Sequence, residues 1–265
     1  MTGEDGMTLL YVPAGEFVMG SNAEDMLSEC QKLRSDCQLD WYANEEPQHT
    51  MDLHSFWIDE TEVTNRMYDK CVQDGKCNPP SRTNSYTNRD YYGNSEFHNF
   101  PVIYVSWLDA KSYCEWTNRR LPTEAEWEKA ARGNDSRIYP WGNTFDGKLL
   151  NFCDINCPFD LSNKLYNDGY AEIAPVGSYS LGKSVYGVSN MAGNTWEWVS
   201  SVYMPYPYNS ADGREDNTSS DPRVVRGGAW DTNNNNGVRS AYRSSFNSAI
   251  SSYNIGFRCA MSATP

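Results

Sequence analysis

The sequence predicts an α+β fold, and three features predict it. Short helical patterns with recognisable caps are confined to the first half of the chain. Beyond residue 133, short apolar runs punctuated by Gly and Asn replace any long helical period. Aromatic residues make up 14%, with 9 Trp and 18 Tyr, so 265 residues carry ample ring surface for a core. No internal repeat, Pro-rich linker or composition break divides the chain, and residues 1–265 read as one domain.

Taken in order, "LLYVPAGEFVMGS" alternates apolar and polar residues and ends in Gly, which reads as a strand and turn. "HTMDLHSFWIDETEVTN" gives a second strand, after which Thr64 caps a helix through "RMYDKCVQ". Residues 77 to 100 are rich in Asn, Ser and Tyr and read as a long loop. "PVIYVSWLDAKSYCEWTNRR" is a short strand followed by a helix opening at Ser106 or Trp107. In "LPTEAEWEKAARG", Thr123 is the N-cap, Glu126 completes a capping box and Gly133 is the stop. "YPWGN", "APVGSYSLG", "NMAGNTWEWVSS", "RVVRGGAW" and "NIGFRCA" follow as turns and short strands. The expectation is two short helices with irregular antiparallel β structure.

A net charge of −13 disfavours nucleic acid and anionic lipid, both of which need a basic surface. Solubility and cation binding remain as its two readings. No stretch approaches the ~18 apolar residues of a membrane span. The first residues, "MTGEDGMTLLYVPAGEF", lack the basic and apolar regions of a signal peptide. Of the 8 cysteines, Cys30/Cys37, Cys71/Cys77 and Cys153/Cys157 are local couples, while Cys114 and Cys259 lie far apart. An even number in couples favours disulfides and an extracytoplasmic or cell-surface setting over free thiols. Zinc fits less well, because there is no CxxC and His49, His54 and His98 are not spaced as ligands.

The ordered series "GEFVMGS", "TEVTN", "PVIYVSW", "RLPTEAEWEKAARG", "YPWGN", "NMAGNTWEW", "RVVRGGAW" and "GFRCA" resembles the formylglycine-generating enzyme (sulfatase-modifying factor) family, from about Val12 to Ala260. The resemblance implies a modified C-type-lectin-like fold and a disulfide between Cys114 and Cys259. A second family disulfide would use positions held here by Ala131 and Ser240. It also implies two structural calcium sites. One would use Asn151, Phe152, Asp168 and Tyr170; the other the Asn190 side chain, the Gly193 and Thr195 carbonyls and the Glu197 carboxylate. Such oxygen-rich sets suit a hard cation. The plainer reading is that Asn190 and Glu197 only cap turns.

The family's oxidation chemistry uses a Cu(I) held by two cysteines shortly after an "RGGS" turn. Here that stretch is Trp230-Asp231-Thr232-Asn233-Asn234-Asn235-Asn236-Gly237, without cysteine, and the Ser of the turn is Ala229. No copper is expected, nor the three-His iron of a related branch. Residues 231–254 are instead confined to Asn, Ser, Tyr, Asp, Thr, Gly, Ala, Val, Ile, Phe and Arg. Apart from Arg239 and Arg243, each is encodable by adenine changes in an AAC codon. The segment thereby resembles the variable region of proteins diversified by retroelements. Tyr, Ser, Gly and Asn also suit a paratope-like surface, although an ordinary Asn/Ser-rich loop has the same composition.

The reading is a calcium-stabilised, non-catalytic domain that binds a protein or peptide partner. Its contacts are expected among Trp230, Asp231, Thr232, Asn233, Asn234, Asn235, Asn236, Tyr242, Phe246 and Tyr253. The rival is an oxidoreductase acting on a peptide cysteine or small thiol through a non-standard site, with Cys153 or Cys157 as the reactive group.

Overall fold

The computed structural model describes residues 1–263. Among them are nine strands and four α-helices: β1 Leu9–Val12, β2 Gly15–Met19, α1 Ala23–Gln31, β3 His49–Leu53, β4 Phe56–Asp59, α2 Asn65–Gln73, α3 Trp107–Trp116, α4 Glu124–Arg132, β5 Trp196–Val202, β6 Arg223–Arg226, β7 Arg243–Phe246, β8 Ile255–Phe257 and β9 Ala260–Ser262. Between α4 and β5 the chain runs through more than sixty residues of turns and bridges. The α+β class holds with four α-helices; α2, α3 and α4 stand at the three capped patterns read in order, although the overall expectation was two short helices. The addition is chiefly α1, whose nine residues bury only Ala23 and Cys30 and so leave little periodic signal.

The capping chemistry behaves as the sequence implies. The Thr64 hydroxyl accepts from the Met67 N–H, opening α2. Full capping boxes open α3 at Ser106/Asp109 and α4 at Thr123/Glu126. Gly133 ends α4 in the left-handed region.

Strands β1, β4 and β9 form one sheet in the order β1-β4-β9, and β2 pairs with β3. The main sheet has the order β7-β6-β5-β8, antiparallel except where β5 runs parallel to β8. Helix α3 packs on one side of β5, with Trp107, Tyr113, Trp198 and Phe257 in a shared apolar cluster. Trp127 of α4 lies in a second cluster with Ile58, Val199 and Val224. Cys114 on α3 is bonded to Cys259, between β8 and β9, across 145 residues of sequence. The three local couples are bonded too, so all eight cysteines are paired.

Charge is buried in the same core. Glu124 and Glu128 of α4 meet Arg243 and Arg226 at 2.7 and 2.5 Å, and Arg132 joins Glu128 at 2.8 Å. All five side chains are almost wholly buried. Burial pushes the Glu128 carboxyl up, yet Arg226 and Arg132 together hold it below the usual carboxylate value. No helix among the described residues is long and apolar enough to cross a membrane.

Candidate functional site

The chain leaves the main sheet at Arg226 and turns through Gly227 and Gly228. Gly228 sits at φ +74°, and an added Cβ would lie 2.6 Å from the Gly237 carbonyl oxygen, so only glycine fits there. Trp230 follows and is buried among Phe159, Tyr86 and Tyr253, its ring stacked on Phe159 at 5.7 Å. Its place among the expected ligand contacts is corrected: the ring has no free face and supports the surface from below. Phe246 is a different case, with part of the residue still exposed. It lies on β7, half-buried against Trp198 at 6.4 Å.

The asparagines are held in place. The Asn234 side chain accepts from the Gly237 N–H at 3.0 Å, closing a turn on itself. Asn234 Nδ2 donates to Asn233 Oδ1 at 3.1 Å, and Asn235 Nδ2 to the Tyr139 hydroxyl at 3.4 Å. Asn236 begins a 3-10 turn through Val238 and accepts from Arg239 at 2.8 Å. Thr232 binds back to Ala229 through both backbone and hydroxyl, and its carbonyl accepts from the Cys153 N–H. Tyr253 and Asn254 both donate to Asp231 Oδ2. Burial raises the Asp231 carboxyl above its ordinary value despite those two donors.

Thr232, Asn233, Asn234, Asn236 and Tyr242 line a cleft of about 490 Å³ with Trp41 and Trp196. Asn233, Asn234 and Asn235 line a neighbouring cleft of about 520 Å³ with Leu161, Leu165 and Tyr166. The expected contacts therefore divide. Thr232, Asn233 to Asn236 and Tyr242 face clefts, whereas Asp231 and Tyr253 are tied to each other beside them. Trp41, in a 3-10 helix, and Leu161 and Leu165 went unnoticed because they stand far from the asparagines in sequence. Trp196 opens β5 on the same face as the buried Trp198, and its half-buried place at the start of the strand brings it to the cleft.

The two oxygen-rich sets meet beneath this face. Asn151 and Gly193 form a parallel bridge, and the Asn194 N–H donates to the Asn151 carbonyl. Gly193, at φ +74°, comes so close to that carbonyl that a Cβ is impossible. Asn151 Nδ2 donates to the Glu172 carbonyl and to Asn194 Oδ1, while its own Oδ1 is buried without a partner. Asp168 accepts from the N–H groups of Phe152 and Tyr170, at 3.0 and 2.9 Å. Burial, with Asp154 close by, pushes the Asp168 carboxyl up to about 7.

In the second set, Asn190 Oδ1 and Thr195 Oγ1 are likewise buried and unpartnered. The Glu197 carboxylate is engaged: Arg258 grips both oxygens at 2.7 Å, and Trp127 Nε1 donates at 2.8 Å. The free acceptor beside it is Glu62 Oε2, whose other oxygen takes the Asn190 and Asn194 amides. Burial and the nearby Glu197 push the Glu62 carboxyl up to about 7 against the pull of Arg258. Asp154 and Glu62 lie beside these two sets and were not singled out in the sequence. Among the described residues no three His, Cys, Asp or Glu side chains converge, and the oxygens gathered here are mostly those of amides and backbone. His49 is structural: Nδ1 donates to the Pro47 carbonyl and Nε2 accepts from the Tyr208 N–H.

A sulfatase-modifying factor enzyme 1-like domain model matches residues 2–263. The chain belongs to this family. It is 33% identical over 302 aligned positions to the formylglycine-generating enzyme of Streptomyces coelicolor, covering 95% of this chain and 88% of that protein. It is 38% identical over 168 positions to the inactive C-alpha-formylglycine-generating enzyme 2 of Mus musculus, where it covers 62% of this chain and 49% of the other. The chain thus spans about half the length of that mouse relative. Treponema denticola variable protein 1 shares the fold, with a TM-score of 0.69 at 20% identity over 97% of this chain and 95% of that one. A sulfatase-modifying-factor fold therefore underlies relatives named as active and as inactive, and the chemistry rests on this chain's own residues.

Proposed function

We propose that this sulfatase-modifying-factor domain is a non-catalytic binding module, with calcium as a structural ion and residues 231–254 as part of its ligand face. One observation carries the reading: where the family's oxidation needs two thiolates, this chain has four asparagines, and all eight of its cysteines are closed in disulfides. A thiolate is the soft ligand a Cu(I) centre requires, and an amide does not replace it.

The calcium reading is supported by the unpartnered acceptors. Asn151 Oδ1 and Asn190 Oδ1 are the two side-chain carbonyls expected as ligands, and both are buried without a donor. Each such group costs about 1–3 kcal/mol unless something satisfies it. Asn151 with the Phe152 and Tyr170 carbonyls and Asp168 would hold one ion. Asn190 with the Gly193 and Thr195 carbonyls and an acid from Glu62 or Glu197 would hold the other. Calcium would supply positive charge between loops that have little hydrogen-bonded secondary structure of their own.

Diversification of residues 231–254 is supported by their restricted alphabet and by the shared fold of variable protein 1. Four disulfides favour an oxidising, extracytoplasmic setting.

The test is elemental analysis for calcium and copper on the native protein, thiol titration, and incubation with a cysteine-containing peptide after Cu(I) loading. Bound calcium, no titratable thiol and an unchanged peptide are expected. Copper retained on paired thiols, or oxidation of the peptide, would overturn the reading.

A further inference from the structure

Two clusters of buried charge stand in this fold, and their balances are opposite. At α4, Glu124 and Glu128 meet three guanidiniums, those of Arg132, Arg226 and Arg243. In the other cluster Asp5 and Asp59 share a single guanidinium: Arg119 Nη2 bonds Asp5 Oδ2, and Arg119 Nη1 bonds Asp59 Oδ1. All three of these side chains are buried. Asp5 reaches the cluster from a hairpin ahead of β1. Thr2 and Thr8 form an antiparallel bridge, the Gly3 N–H donates to the Met7 carbonyl at 2.8 Å, and Glu4, Asp5 and Gly6 make the tip. Gly6 turns the chain at φ +92°.

One residue of the hairpin thereby touches three elements. Asp5 Oδ2 also accepts from the Tyr113 hydroxyl of α3 at 2.7 Å, and Lys70 of α2 donates to the Asp5 carbonyl at 3.0 Å. Asp59 ends β4, and its Oδ2 accepts from the Cys259 N–H at 2.9 Å. Arg258 donates to the Asp59 carbonyl, but Glu197 already takes its charge through both oxygens. The ionisable groups facing Asp59 are therefore Arg119, Asp5, Tyr113 and Arg258. One guanidinium neutralises one carboxylate, and a second bare carboxylate in a dry interior is costly. Burial, reinforced by Asp5, pushes the Asp59 carboxyl up to about 7 against the pull of Arg119, the Cys259 N–H and Arg258. Undocking the hairpin removes Asp5, leaves Arg119 to Asp59 alone and admits water, so the docked state binds the proton more tightly.

We propose that the hairpin of residues 1–8 is an acid-tightened strap, docked through Asp5 and loosened when the two carboxyls lose the proton that lets them share Arg119. The proton's contribution to docking is fully present below the ordinary carboxylate pKa. It falls away as pH rises to the folded value of about 7 and stays lost above it. Mild acid thus stiffens the side of the domain where α2 and α3 meet β4, and release withdraws Asp5 from all three together. The inference stands apart from the binding-module reading, because none of these residues lies in the asparagine segment.

The test is amide hydrogen exchange of the full chain in calcium-containing buffer, from about pH 5 to about pH 8, corrected for the intrinsic pH dependence of exchange. Peptides covering residues 1–8 should lose protection by up to about tenfold per pH unit on the way up to about 7, then level off. Asp59→Asn, a neutral isostere, should keep the strap near its acid level of protection at every pH. Asp5→Asn leaves Arg119 to Asp59 alone and should abolish the slope even with the hairpin in place. Peptides from α4, where guanidiniums outnumber carboxylates, should show no such slope. A strap indifferent to pH in the unaltered chain, or a slope that survives in both variants, would overturn the inference. So would an equal slope in α4, because that reports global stability and no local strap. If Asp59→Asn does not fold, the slope of the unaltered chain and its loss in Asp5→Asn decide the matter.

Discussion

Arg226 and Asn233 are seven residues apart and sit in opposite environments. Arg226 is fully buried, bonded to Glu128 and to the Ala241 and Ser240 carbonyls, with its guanidinium over the Trp127 ring. Asn233 is half-exposed, on the wall of two clefts, and its one recorded side-chain bond is to the next asparagine. Charge paired in low dielectric admits one arrangement, because removing either partner strands the other. Uncharged amides at a water-filled edge can exchange partners at small cost. The scaffold and the face thus differ in how much a substitution matters, and each end of that contrast is measurable.

The largest effect should come from the staple of the scaffold. Replacing Cys114 and Cys259 together by serine opens a 145-residue loop. The chain-entropy model puts the loss at about 5 kcal/mol, to be read from urea unfolding under non-reducing conditions. Glu128→Gln should follow, costing about 3–5 kcal/mol because Arg226 and Arg132 would keep buried charge without their shared carboxylate. A loss below 1 kcal/mol in that variant would break the contrast at its scaffold end.

Calcium removal ranks next. If free calcium stands about a hundredfold above its dissociation constant, chelation should cost about 2.7 kcal/mol per site. The measurement is the melting temperature with and without chelator, and indifference to chelator would leave Asn151 and Asn190 without their proposed partner. On the face, Asn233→Ala should move stability by less than about 0.5 kcal/mol, within the range of ordinary surface changes. A larger loss would show that the asparagines belong to the scaffold.

The smallest effect concerns Asp231, between the two regions. Its folded carboxyl is raised above the ordinary value by burial, so the folded state binds the proton more tightly than the unfolded chain. That contribution is fully present below the ordinary carboxylate pKa, falls away as pH rises to the folded value, and stays lost above it. Asp231→Asn keeps an acceptor for Tyr253 and should flatten this part of the stability–pH curve. An unchanged slope just above the ordinary carboxylate pKa would remove Asp231 as its source.

Much of this was legible in residue order. Thr64, Ser106, Thr123 and Gly133 carry their meaning locally, since a cap acts within one turn of its own backbone. The cysteine couples were legible for the same reason, and the Cys114–Cys259 bond through the family resemblance. The ligand face was only half legible. Thr232 and Asn233 to Asn236 were named, but Trp230 was placed on the face although its ring is buried. An aromatic in a turn-rich segment has no periodicity to show which way it points. Glu62 and Asp154 escaped because neither has a neighbour in sequence that explains its burial.

By itself, then, the sequence determined the α+β class, the family, the caps, the absence of a cysteine pair after the Gly-Gly turn and the composition of residues 231–254. These depend on residue types and on spacings of a few positions. Tertiary structure decided that Leu33, Trp41, Leu161 and Trp196 surround the asparagines, and that Glu62 rather than Glu197 holds the unpaired carboxylate oxygen. Those are contacts between positions tens to hundreds of residues apart. They exist only once the disulfides and the buried ion pairs have brought those stretches together.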